Sequence, residues 1–77
     1  MDDRFDRLKQ ILEDELGIDK DEITEEKSLK DDFGADSMDM FQIFVGMEVE
    51  YDIELDSDET ENVKTVGDLI QIVRDYT

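Results

Sequence analysis

Seventy-seven residues with 25 acids against 8 bases, a formal net charge of −17, make a short and strongly acidic chain without histidine or cysteine. That length allows one domain with a modest core, the missing residue types exclude disulfides and a Cys/His zinc site, and the charge repels nucleic acid and anionic membranes while favouring basic protein surfaces. No apolar run approaches a membrane span, the acidic N-terminus is unlike a signal peptide, and the apolar residues are too well spaced for a disordered acidic tail, so a soluble cytoplasmic monomer is expected.

The first predicted helix runs from Asp3 to Leu16. Phe5, Leu8, Leu12 and Leu16 recur at helical spacing, and Ile11 widens the stripe. Gly17 follows, as a residue just past a helix end does. Residues 17–35 hold no long helical period. They read as a long loop, often a functional feature in a compact domain, with Ile18, Ile23, Leu29 and Phe33 as its apolar anchors.

The second helix is predicted from Ser37 to about Tyr51, with Asp36 as N-cap and Gly34 turning the loop before it. With Ser37 at zero on a wheel of about 100° per residue, Met40, Ile43, Phe44, Met47 and Tyr51 cluster between about 240° and 340°. Met38, Phe41, Val45 and Val49 form a second arc between about 40° and 120°. A surface helix needs one apolar stripe. The second arc borders Ser37 and is expected to face a partner; the alternative is that both arcs are core.

Asp52 to Leu55 reads as a short extended connector. Asp56 to Val63 is polar, with room for one or two helical turns packed through Val63. Thr65 opens the last helix, with Asp68 completing a capping-box variant. Val66, Leu69, Ile70 and Val73 then form one core stripe. The expected fold is an all-α four-helix bundle, with three longer helices, a short third one and a long loop after the first. That loop would allow two helices to run in the same direction. Residues 1–77 read as a single domain without repeats.

Most motifs yield no chemistry. Asp19-x-Asp21 and Asp56-x-Asp58-x-Thr60 resemble the opening of an EF-hand loop, which needs glycine sixth and glutamate twelfth. The first places Thr24 and Lys30 there and the second Glu61 and Gly67, so no metal site is expected beyond diffuse divalent binding. Carboxylate pairs arise by chance on so acidic a surface, and no phosphate-cradling glycine loop is present. Ser37 stands out because a helix start displays it between Asp36 and Asp39. With no histidine in the chain it lacks the usual base. A displayed serine of this kind suits the role of a substrate, modified by another enzyme.

Phe33-Gly34-Ala35-Asp36-Ser37-Met38-Asp39 closely resembles the Gly-x-Asp-Ser-Leu-Asp signature of acyl carrier proteins, and the resemblance extends from Phe5 to Val73. It implies that Ser37 bears a 4′-phosphopantetheine arm drawn from coenzyme A. Acyl intermediates would ride on that arm as thioesters, in fatty-acid or related acyl-chain synthesis, and the chain itself would not be an enzyme. The implied partners are a phosphopantetheinyl transferase and acyl-chain synthesis or acyltransferase enzymes with basic docking patches. Asp36, Met38, Asp39, Phe41, Val45, Glu48 and Val49 are the expected docking residues.

Several positions depart from the family pattern. Met38 replaces the usual leucine and Phe41 the usual valine. Gln42 and Val49 stand where fatty-acid carriers often have glutamate, and Asp56 replaces a proline. These changes make the docking arc more apolar and bring specialised polyketide or D-alanyl carriers into view as alternatives. A reading of another class is an acidic interaction module that never carries an arm.

Overall fold

The computed structural model describes residues 3–77, with side chains from Phe5 onward; the first two residues of the acidic N-terminus lie outside it. Four α-helices follow one another: α1 Asp3–Leu16, α2 Ser37–Tyr51, α3 Ser57–Glu61 and α4 Val66–Tyr76. Each begins or ends where local chemistry requires. Gly17, at φ 65°, takes the chain out of α1 while its N–H still reaches the Glu13 carbonyl at 2.9 Å. Asp36 caps α2 and Thr65 caps α4, each in a reciprocal capping box closed by Asp39 and Asp68. Asp56 caps α3 by accepting from the Glu59 N–H at 2.9 Å, so an aspartate starts the short helix. At the end of α2, Asp52 takes a left-handed conformation, φ 55°, which aspartate tolerates better than most residues.

Among the described residues every buried side chain is apolar. Leu8 and Leu12 from α1, Ile43 and Met47 from α2, and Val66, Leu69, Ile70, Ile72 and Val73 from α4 are buried, together with Ile23, Leu29 and Ala35 from the long loop. Phe5, Ile11, Leu16, Ile18, Phe33, Met40, Phe44, Tyr51 and Val63 pack around it half-buried, as their spacing predicts. Two core residues lie outside the predicted set. Ile72 sits off the α4 stripe and is buried on the flank it shares with Val63, where α3 covers the helix. Ala35 plugs the loop just before α2.

Arg7 faces Glu50 at 3.6 Å, and Ile11 packs so closely on Gly46 that a Cβ there would meet its Cγ2 at 3.3 Å. These pairings run α1 and α2 antiparallel. The helices that share a direction are α2 and α4, whose N-termini are tied to the same loop.

That loop is more ordered than its lack of period suggests. A single 3-10 turn occupies Lys20–Glu22. Beyond it, Leu29 N–H donates to Lys64 O at 3.0 Å, Val66 N–H to Lys27 O at 3.0 Å and Gly67 N–H to Glu25 O at 2.9 Å. Ser28 and Thr65 form an isolated antiparallel bridge at the centre of this contact. Backbone donors near a core must find partners, and here loop and helix start supply each other. No helix of the described residues is long and apolar enough to cross a membrane.

Candidate functional site

The site is assembled from the loop that precedes α2. Gly34, at φ 69°, supplies a conformation that other residues rarely adopt. Its N–H closes a turn onto Lys30 O at 3.0 Å, and the next N–H, of Ala35, reaches Leu29 O at 2.9 Å. With Ala35 buried and Leu29 pinned to the α4 start, the chain enters α2 at a fixed place. Ser37 follows as the first helical residue and is exposed.

Asp36 and Asp39 hold this helix start. The Asp36 carboxylate accepts from Asp39 N–H at 2.8 Å, and Asp39 Oδ2 accepts from Asp36 N–H at 3.2 Å. Both aspartates were expected to meet partners; in the structure each also has a backbone to support. The N–H groups of Ser37 and Met38 are taken by no described residue, as is usual at the start of a helix. They favour an anion on the serine. The two carboxylates that flank Ser37 are each engaged by a backbone N–H, and among the described residues no group of His, Cys, Asp or Glu could hold a metal ion.

The second apolar arc of α2 is on the surface. Met38 is 72% exposed, Phe41 63% and Val49 77%, with Val45 at 36%. The reading in which both arcs are core therefore fails. Of the two apolar arcs, that of Met40, Ile43, Phe44, Met47 and Tyr51 faces inward, and the other runs along the exposed side of the helix.

Glu48, one of the expected docking residues, also has a structural partner. It is half-buried, and its Oε2 accepts the Leu55 N–H at 3.0 Å, tying the α2–α3 connector to α2. The expectation of a docking carboxylate missed this bond, because the connector returns along that edge of the helix. The only sequence signal for it was a carboxylate one turn before a connector with unpaired N–H groups.

The residues present suit a phosphopantetheine group. The exposed Ser37 hydroxyl could form the phosphodiester, and the unpaired N–H groups of Ser37 and Met38 at the helix start would favour its negative charge. When bound, the group supplies the thiol that this cysteine-free chain lacks.

Known proteins agree with this geometry. Residues 6–73 match the family model described as "Phosphopantetheine attachment site". An acyl carrier protein of Clostridium perfringens is 40% identical over 73 residues, covering 95% of this chain and 96% of its own length. One from Clostridium acetobutylicum is 42% identical over 73 residues, covering 95% of each. Among solved structures, one described as a candidate acyl carrier protein from Mycobacterium tuberculosis superposes with a TM-score of 0.91 at 31% identity, covering 96% of this chain and 99% of that one. A serine displayed on a capped helix start, in a bundle of this shape and with these relatives, identifies the chain as a member of the acyl carrier protein family, whose members bear a 4′-phosphopantetheine arm.

Proposed function

We propose that Ser37 is the attachment residue and that residues 1–77 act as one carrier domain. The observation that carries this reading is the exposed Ser37 hydroxyl at the first position of α2, set there by the Asp36–Asp39 box within the matched signature. The chain contributes the hydroxyl, a rigid helix start and a docking face. Reaction chemistry belongs to the enzymes it visits, so the carrier itself turns over nothing.

Partners dock along Met38, Phe41, Val45 and Val49, with Asp36, Asp39 and Glu48 adding negative charge at the edge. A phosphopantetheinyl transferase comes first, followed by acyl-handling enzymes with basic patches. Fatty-acid synthesis in the cytoplasm, by a monomeric carrier, is the pathway reading supported by the likeness to the bacterial carriers. A dedicated polyketide or D-alanyl pathway is the second reading, favoured by the exposed Val49 and Phe41. An acidic module without an arm does not account for the serine on its capped helix.

The test is intact mass after incubation with coenzyme A and a phosphopantetheinyl transferase. The chain should gain the mass of one arm, and Ser37→Ala should gain none. Equal labelling of the alanine variant would remove Ser37 from the role.

A further inference from the structure

Between α1, the long loop and α4 lies a cleft of about 320 Å³. Phe5 and Leu8 from α1, Ile23 from the loop, and Val66 and Ile70 from α4 form its apolar wall. Asp6, Lys9, Thr24 and Glu25 supply its polar groups. None of its described lining residues belongs to α2, which carries Ser37 and the outer arc. It also shares no lining residue with the cleft of Leu29, Ala35, Met40 and Val63 beside the start of α2, where Lys30 and Lys64 stand at the rim.

The wall is preformed. Leu8, Ile23, Val66 and Ile70 are core residues that also line the cleft, and Arg74 lies over the Phe5 ring at 5.3 Å. The Ile23 N–H closes a turn onto Lys20 O at 3.1 Å, and the N–H groups of Val66 and Gly67 donate to Lys27 O and Glu25 O at 3.0 and 2.9 Å. Loop and helix are thereby fixed to each other, so an occupant has little to order on arrival, which favours binding. The volume sits at the low end of the range for ligand pockets, about 300–1,000 Å³, and suits roughly one or two apolar side chains rather than a whole helix. Asp6, Glu25 and Lys9 form no ion pair among the described residues. Two acids against one base leave the polar edge negative.

We propose that this cleft is a second docking surface for a protein partner, and that its occupant is an apolar side chain flanked by lysine or arginine. The apolar group fills the cleft, as anchor residues of interfaces fill pockets, and the flanking cations pair with Asp6 and Glu25. Charge complementarity selects this occupant. A nucleic acid or an anionic lipid surface would be repelled by a net charge of −17, and an acidic segment would find Lys9 alone to pair with. A segment seated here covers no residue of the cleft's described lining on α2, because there is none. It would tether the carrier while an enzyme uses Ser37 and the outer arc, raising the effective concentration of one for the other. The docking does not depend on the arm; the tethering rests on the carrier reading.

The experiment titrates the isotopically labelled full chain, without an arm, with three end-blocked tetrapeptides: Lys-Leu-Phe-Lys, Lys-Ser-Ser-Lys and Glu-Leu-Phe-Glu. The first should move the amide signals of Leu8, Ile23 and Ile70 and bind about fivefold or more tighter than the others, since one lacks the apolar anchor and the other has the wrong charge. Asp6→Asn/Glu25→Gln keeps the wall and should weaken the first peptide about fivefold, as expected for two exposed ion pairs. Lys9→Gln should bind it at least as tightly as the parent. Circular dichroism checks that each variant keeps the parent's melting temperature. Signal changes confined to Met38, Phe41, Val45 and Val49 would seat the peptide on the outer arc of α2 and overturn the proposal. Equal binding of Lys-Ser-Ser-Lys, or parent-like binding by the double variant, would overturn it as well. Failure of Ser37 to take an arm would remove the tether and leave the docking standing.

Discussion

Around Ser37 the acidic residues are backbone caps as well as surface charges, and this sets what their substitution does. Asp39→Ala removes one side of the capping box and should cost about 1 kcal/mol of stability, measured by urea denaturation, while slowing arm addition because the serine is less well held. Glu48 divides into two effects. Glu48→Gln keeps an acceptor for Leu55 N–H and should leave stability within about 0.5 kcal/mol. Glu48→Lys loses the acceptor and should cost about 1 kcal/mol. If docking depends on the charge alone, both variants weaken transfer by partner enzymes, and the loss shrinks at high salt.

Asp68 adds a pH dependence. Hydrogen bonds from the Lys64 and Thr65 backbone lower its pKa from 3.8 despite some desolvation. A carboxyl with a lowered folded pKa stabilises the native state above the unfolded value, and the contribution fades as pH falls through 3.8 and below. The stability gap between parent and Asp68→Asn should therefore be full at neutral pH and close in acid. Tyr76 acts at the other extreme. Its hydroxyl donates to Glu59 Oε1 at 2.5 Å, and that bond, with nearby acidic charge, pushes its pKa up from 10.0 to about 12. Stability should fall as pH rises through this window, and Tyr76→Phe should remove that component.

At the scale of elements, α2 has an inner and an outer face with opposite sensitivities. Met47 is fully buried, and Met47→Ala should cost roughly 2–5 kcal/mol by leaving a cavity. Phe41→Ala and Val45→Ala remove exposed groups and should change stability by about 0.5 kcal/mol or less, while slowing transfer by partners. Val49→Glu should fold normally. If Val49 fits a dedicated partner, the change should weaken that partner and spare generic fatty-acid enzymes; equal loss with both would remove the case for specialisation. The helix contacts offer a second contrast. At Gly46 an added Cβ would meet the Ile11 side chain at 3.3 Å, whereas at Gly67 it would meet the Glu25 carbonyl oxygen at 3.1 Å. A side chain can give way more readily than a bonded backbone. Gly46→Ala should be close to neutral, since better helix propensity offsets the contact, and Gly67→Ala should lower the melting temperature.

For the whole molecule the dominant quantity is charge. A net −17 over a principal extent of 29 Å means strong self-repulsion, and the pair Arg7–Glu50 at 3.6 Å is between exposed groups, where such pairs add little. The Debye length is about 8 Å at physiological ionic strength, so salt should screen much of the repulsion. The melting temperature should rise with sodium chloride and more steeply with magnesium, followed by circular dichroism. A flat response to both would show that repulsion does not limit stability.

The sequence by itself determined the helices and the serine. Apolar spacing marks α1 and α4, Asp36 and Thr65 mark the starts of α2 and α4, and Gly17 and Gly34 mark turns, because caps, periodicity and left-handed glycines all act within a few residues. Only the tertiary structure decided which arc of α2 is core, since both arcs are apolar and the choice depends on what packs against them. It also decided the pairing of residues 25–29 with 64–67, the burial of Ala35 and Ile72, and the bond from Glu48 to Leu55. Lys30 and Lys64 are far apart in the chain and carry no shared motif. Their meeting at one cleft beside Ser37 follows from a backbone contact between loop and helix start, which local spacing cannot encode.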